Sequence, residues 1–220
     1  MQKNKKHNAA TRENLLNAAE RLFAEHGYDG VGMRALAAEA GVNLGAATYH
    51  FGSKERLYIE TVMRCILPIR EERIKLLRQA ERTAEGKPVP LETIIDCMLR
   101  PPLMTILEHP HFSALLARNL FMPPPFMREF LARNANQAHE PFVLALTLAL
   151  PGLPVEVLRV REMFARGTML MFLSKISVPK SAEFCDFVLK EMVVCIAAGF
   201  RSASIMPDFT LPPLPTLPSF

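Results

Sequence analysis

Between residues 27 and 53 a fixed order of turn and cap residues cuts the chain into short pieces, and this order constrains the fold more than any other feature. The segment before it, TRENLLNAAERLFAEHG, places Leu15, Leu16, Ala19, Leu22 and Phe23 on one face of an amphipathic helix. Thr11 is placed to cap its amino end, and Gly27 to take the left-handed residue at its carboxyl end. After the link YDGVG, the spacing predicts a short helix in MRALAAEAG that buries Leu36, Ala37 and Ala40. Gly41-Val42-Asn43 then turns a corner: glycine leaves one helix, valine plugs the bend, and asparagine caps LGAATYHF, whose Ala47 and Phe51 face the same core. Ser53 caps a fourth helix starting at Lys54. Helix, short helix, tight turn and short helix is the order of a helix-turn-helix unit. Small helical bundles turn corners in the same way.

The rest of the chain reads as helix. Long proline-poor tracts rich in Ala, Leu, Glu, Arg and Met, the good helix formers, predict helices at about 54–66, 68–83, 91–108, 111–121, 126–149, 155–176 and 181–202. Pro68 and Pro141 are expected to kink helices or begin new ones. No strand-like alternation and no internal repeat interrupts this pattern. The expected class is all-α, with an N-terminal three-helix unit followed by a helical bundle. The expected organisation is a basic flexible arm at 1–10, the helix-turn-helix domain at 11–58, a helical ligand-binding and dimerisation domain at 59–202, and a proline-rich tail at 203–220.

Charge and special residues narrow the function. The net charge of +4 is modest, but Lys3, Lys5, Lys6 and Arg12 stand in the first dozen positions with no acid among them. Such an arm suits a polyanionic partner, and equally a solvated tail. The four cysteines, at 65, 97, 185 and 195, show no C-x-x-C spacing. The amino terminus has no apolar signal region, and the apolar runs at 142–150 and 192–200 are too short for a bilayer span. A cytoplasmic protein with reduced thiols and no membrane partner is expected. None of the motifs G-x-S-x-G, G-x-G-x-x-G, H-E-x-x-H or the P-loop occurs, and His109-Pro-His111 alone is too short for a metal site. No enzyme, metal or cofactor is expected.

Residues 12–58 resemble the DNA-binding domain of the TetR family of bacterial transcriptional regulators. The resemblance is carried by LLNAAERLFAEHGYDGVGMRALAAEAGVNLGAATYHFGSKERLY: the phenylalanine and glycine closing the first helix, the arginine opening the second, and the Y-H-F-x-S-K-E-x-L run after the third. Within that family, the N-L-x-A-x-x-Y-H-F-G-S-K phrasing, the late GTMLMFLSKI and the closing AAGFRS are similar to the fatty-acid-responsive regulators of pseudomonads. The resemblance implies a homodimer joined through helices at about 155–176 and 181–202, a palindromic double-stranded DNA operator, and repression relieved by a small hydrophobic effector such as a fatty acid or acyl compound. A helical lipid carrier or adaptor without specific DNA binding is the alternative.

Residue types suggest how DNA would be held. On the third helix Leu44, Gly45, Thr48 and Tyr49 share one face, opposite Ala47 and Phe51. Tyr49 can donate its hydroxyl to a phosphate, while Lys54 and the free N–H groups of the helix capped by Ser53 add charge and donors. His50 is either a further phosphate donor or a boundary residue between helices. Asn43 caps the helix, and Gly45 keeps its amino end slim enough to enter the major groove. Neither Leu44 nor Gly45 can make a bidentate base contact, so Arg34 is the expected reader of guanine. Leu44 stands where the family is often polar or basic, and Thr48 where tyrosine is frequent, which points to thymine-methyl contacts and shape readout. Arg12 and the lysine arm would add non-specific attraction. For the effector, Phe112, Leu116, Phe121, Met163, Phe164 and Met171 are candidate pocket walls, with Arg118 and Arg166 as candidate partners of a carboxylate. Each of these apolar residues is also an ordinary core candidate, and each arginine an ordinary salt-bridge candidate.

Overall fold

A computed structural model of the chain describes residues 2–108, 111–134, 139–175 and 181–204, and their side chains apart from those at 2–7, 106–108, 112, 117, 120, 121, 132–134, 174 and 175. The described residues form helices α1 (Gln2–His26), α2 (Met33–Glu39), α3 (Leu44–Phe51), α4 (Lys54–Thr83), α5 (Leu91–Glu108), α6 (Phe112–Phe121), α7 (Pro125–Asn134), α8 (Glu140–Ala149), α9 (Val155–Lys175) and α10 (Ala182–Arg201), with no strand among them. The class is all-α, as the composition and periodicity required. No helix among the described residues is long and apolar enough to cross a membrane.

Three helix boundaries depart from the sequence reading. Thr11 does not cap α1, which begins at Gln2, so residues 2–10, expected as a flexible arm, are its first turns. Gln, Lys, Ala and Arg all favour helix, and no proline or glycine interrupts positions 1–26. Pro68 neither ends nor begins a helix but lies inside α4. Proline removes one backbone hydrogen bond and crowds the preceding turn, a local cost that the buried residues on both sides, Cys65, Ile66, Ile69 and Leu77, offset. The single helix expected at 126–149 is instead α7 and α8, with Pro141 in the first turn of α8, where a missing N–H costs nothing. The tail from residue 205 onward lies outside the described residues.

The chain divides into two compact units, Met1–Leu67 with His109–Arg128, and Pro68–Glu108 with Glu129–Phe220. In the first, α1 packs against α2, α3 and α6, and α2 against α3. Its core holds Leu15, Ala19, Phe23, Leu36, Ala47, Phe51 and Leu57, all fully buried; each large side chain contributes on the order of 1.5–3 kcal/mol relative to exposure. Tyr58 is the hub of the unit: its ring meets Phe23 edge-on at 4.8 Å and Tyr28 at 5.2 Å, and its hydroxyl donates to Asn119 Oδ1 at 3.2 Å. Burial pushes the Tyr58 hydroxyl up to about 12, so it stays a neutral donor. Thus α6, more than fifty positions further along the chain, completes a unit that the sequence placed within residues 11–58.

In the second unit α5 pairs extensively with α10, and α8 and α9 pack on each other and on α5. Ile94, Ile95, Met98, Phe142, Leu146, Leu158, Leu173 and Leu189 form its interior. Ser181 caps α10 by accepting the Phe184 N–H at 3.1 Å. None of the four cysteines is in a disulfide: Cys65, Cys97 and Cys185 are buried and Cys195 is exposed.

Candidate nucleic-acid interface

Two short helices and the turn between them are held by local chemistry. Gly41 adopts φ +67° after α2, a conformation that L side chains rarely take. The Asn43 side chain accepts the Ala46 N–H at 2.8 Å, satisfying one of the amide groups that a helix start leaves free. Gly45 follows for a spatial reason, since a Cβ there would lie 3.3 Å from the capping Asn43 oxygen. At the far end Gly52 takes φ +72°, and Ser53 Oγ accepts the Arg56 N–H at 3.1 Å to start α4.

This framing exposes one face of α3. Ala47 and Phe51 are fully buried, whereas Leu44, Gly45, Thr48 and Tyr49 are exposed, Tyr49 at 78%. Arg34, second residue of α2, is exposed and forms no ion pair among the described residues. The Tyr49 ring meets His50 edge-on at 5.4 Å, and His50 is half-buried. Lys54 Nζ sits 4.0 Å from the centroid of the Tyr28 ring, which fixes the position of its charge beside the α4 start.

Arg12 is not a free arm residue. It pairs with Glu60, to which Arg56 also donates at 3.0 Å, and its guanidinium lies 5.3 Å from the Phe51 ring centroid. Glu60 therefore holds two cations beside the start of α4, a role the sequence reading missed because the pairing spans forty-eight positions. Arg64 likewise bonds Asn17 at 2.6 Å and Glu13 at 3.0 Å on α1. The side chains of Lys3, Lys5 and Lys6 lie outside the described residues.

The eight residues expected to line one effector pocket are divided between the two units. The side chains of Phe112 and Phe121 lie outside the described ones, and Leu116 is buried in the first unit. Arg118 belongs to that unit as well, and donates to the carbonyls of Ala24 at 2.9 Å and Glu25 at 2.7 Å, the last turn of α1. A helix end leaves such carbonyls without partners, and a cation there also meets the negative end of the helix dipole. Phe164 and Met171 on α9 point outward, Phe164 at 62% exposure, and Met163 is half-buried. Periodicity shows that α9 is apolar on several faces but does not say which one meets the core. The buried face is Leu158, Glu162, Ala165, Met169, Leu170 and Leu173.

Of the candidates, Arg166 alone lines a described cavity in the second unit. Its Nε lies 2.6 Å from Glu162, its Nη1 lies 3.3 Å from His139 Nε2, and His139 Nδ1 lies 3.2 Å from Glu162. With Arg166 as donor at Nε2, the imidazole proton sits on Nδ1, facing the carboxylate. Burial holds the imidazole below its ordinary value despite Glu162, while its cationic and histidine partners hold the Glu162 carboxyl low against burial. Arg73 of α4 completes the group, 5.2 Å from the Phe142 ring centroid. Arg73, His139 and Glu162 were not foreseen. Only the four-residue spacing of Glu162 and Arg166 was visible as a signal.

A helix-turn-helix with capped helices, a buried inner face and an exposed outer one defines a DNA-binding protein of bacterial regulatory type. Residues 15–61 match the family described as bacterial regulatory proteins, tetR family, and residues 96–199 match the tetracyclin repressor-like C-terminal domain. The chain belongs to the TetR family of transcriptional regulators. It is 29% identical over 191 residues to the HTH-type transcriptional repressor AcnR of Corynebacterium efficiens, covering 81% of this chain and 88% of that protein. It shares its fold with the TetR family regulator PfmR of Thermus thermophilus at TM-score 0.64 and 17% identity, over 83% of this chain and 96% of that one. NalD of Pseudomonas aeruginosa, the secondary repressor of the MexAB-OprM multidrug efflux pump, has the same fold at TM-score 0.62 and 21% identity, over 87% and 97% of the two chains. These relatives are transcriptional regulators, not enzymes.

Proposed function

We propose that the protein is a cytoplasmic repressor that grips a palindromic operator as a homodimer and is released by a small hydrophobic ligand. The observation that carries this reading is the bare outer face of α3, where Leu44, Gly45, Thr48 and Tyr49 stand exposed on a helix that Asn43 caps and Gly52 ends. Tyr49, His50, Lys54 and the amide groups at the Ser53 cap engage phosphate, and Arg34 reads guanine. Leu44 and the Thr48 methyl contact thymine, so much of the discrimination comes from DNA shape. AcnR, named a repressor, supports repression as the mode of action.

Dimerisation is favoured by an apolar strip on the last two helices. Phe164 and Met171 on α9 and Phe184, Phe187 and Val194 on α10 are exposed, Phe187 at 61% and Val194 at 65%. A second copy would cover such a surface and place two α3 helices about one turn of DNA, ~34–36 Å, apart.

The test is selection of random duplexes by the purified protein at low and near-physiological salt. Enrichment of a palindrome that survives the higher salt is the expected outcome. Binding that enriches nothing and vanishes with salt would leave the lipid-carrier or adaptor reading in the lead.

A further inference from the structure

The first unit carries a cleft for which DNA binding has no use. Its volume is about 700 Å³, and every residue lining it belongs to that unit. Small-molecule sites fall in the same range, on the order of 300–1,000 Å³. One wall is the turn after α1, with Tyr28 half-buried in it. The other is the corner between α6 and α7, where Met122, 83% exposed, precedes three consecutive prolines at 123–125. Proline fixes its own backbone angle, which makes that corner stiff. Phe126, next in the chain, meets the Tyr28 ring edge-on at 4.9 Å and ties the two walls together.

Charge converges on this space. Arg118 uses Nε and Nη2 on the carbonyls that end α1, and its Nη1 donates to no acceptor among the described residues. Gly27 leaves the space beside that nitrogen clear, since a Cβ there would stand 3.1 Å from it. Arg128 is exposed and forms no ion pair among the described residues. Asp29 is the only carboxylate in the lining, and the lining His26 has its Nε2 3.6 Å from Glu25. Guanidiniums thus outnumber carboxylates in the lining by one.

We propose that this cleft binds a small planar aromatic carboxylate, with the acid group held by Arg118 Nη1 and Arg128 and the ring between Tyr28 and the proline corner. Guanidinium donors match the geometry of a carboxylate, and the excess of one cation calls for a monoanion. Tyrosine and proline present flat, stiff surfaces that suit a ring better than a flexible chain, and the Met122 thioether adapts to the ring edge. The site shares Tyr28 with Lys54, whose Nζ stands 4.0 Å from the ring centroid. Its occupant therefore touches the side chain that holds Lys54 in place. That consequence rests on the reading that Lys54 grips phosphate, whereas the site itself does not.

The experiment is calorimetric titration of the full chain, without DNA, using 2-naphthoate and 2-naphthamide, which share a ring system and differ in charge. The acid is expected to bind about five-fold or more tighter, the range of ion pairs open to water. Arg128→Gln is expected to remove most of that preference. On the unaltered protein, the methyl resonance of Met122 is expected to shift with 2-naphthoate while those of Met98 and Met169 stay in place. Equal binding of acid and amide, or of neither, would overturn the site. A preference that survives Arg128→Gln, or a Met122 resonance that stays in place, would put the acid elsewhere and overturn it too. At saturation 2-naphthoate is expected to weaken binding of a duplex about two-fold or more, because it adds a negative charge to the unit that meets the polyanion. Unchanged duplex binding would overturn the link to Lys54. Because the titrations contain no DNA, their failure is distinct from failure of the operator reading, which the duplex selection tests.

Discussion

The two units bury different kinds of polar group within apolar cores. In the first, Phe23, Phe51 and Tyr58 are enclosed together with the polar side chains of Glu20, Thr61 and Asn119, and the surface carries Arg34, Thr48, Tyr49 and the Arg12–Glu60–Arg56 group. In the second, the interior holds Arg73, Glu162, Arg166 and His139, and the surface of α9 and α10 carries Phe164, Phe187 and Val194. A face that meets a polyanion in water needs a rigid apolar support and wet donors. A face that meets another copy of itself needs hydrocarbon, and a pocket that discriminates among small molecules needs a few buried polar groups.

The sharpest way to break this comparison is Phe187→Asp, which charges the apolar strip. It is expected to weaken self-association by about 2–4 kcal/mol, the range of a central interface residue, with helix content unchanged. Sedimentation velocity checks it, and a dimer that persists would remove the strip from the interface. Next in size is Arg34→Ala, expected to cost on the order of 1–3 kcal/mol at one base position. Equal loss on every sequence in competition assays would reduce Arg34 to a phosphate grip. Glu60→Gln releases Arg12 and Arg56 from their shared partner, and each phosphate contact so gained should steepen the salt dependence of DNA binding by about one in log–log slope. An unchanged slope would mean that neither cation reaches the backbone.

The smallest effect concerns pH. Burial holds the folded His139 below its ordinary value of 6.5, so as pH falls through that value the unfolded chain takes up a proton that the folded chain resists. Stability attributable to this residue is therefore present above about pH 6.5 and declines on acidification, reaching its full loss below the folded value. His139→Gln should flatten the fall in thermal midpoint between pH 7 and 5.5. A parallel curve in the variant would assign the acid sensitivity to other groups.

Much of the reading unit was legible because its determinants are local. Asn43 and Ser53 cap helices through amide groups three positions away, Gly41 and Gly52 mark left-handed backbone, and Ala47 with Phe51 follow the helical period. These interactions span at most a turn of chain, so residue order alone encodes them. The all-α class and the exposed face of α3 follow from the same rules. Thr11 misled for a local reason too: a good capping residue is not used where the residues before it also favour helix.

What only the tertiary structure decided depends on partners far apart in the chain. Asn119 meets Tyr58, Arg118 closes the end of α1, Glu60 binds Arg12, and Arg73 shares a buried group with Arg166 and Glu162. A helix apolar on several faces can bury any of them, and packing against particular neighbours selects the one that α9 buries, leaving Phe164 and Met171 outside. Sequence determines which residues can form helices, caps and turns, because those energies are set within a few residues. Which charges are desolvated and which hydrocarbon stays wet is set by contacts across dozens of positions, and only the folded chain contains them.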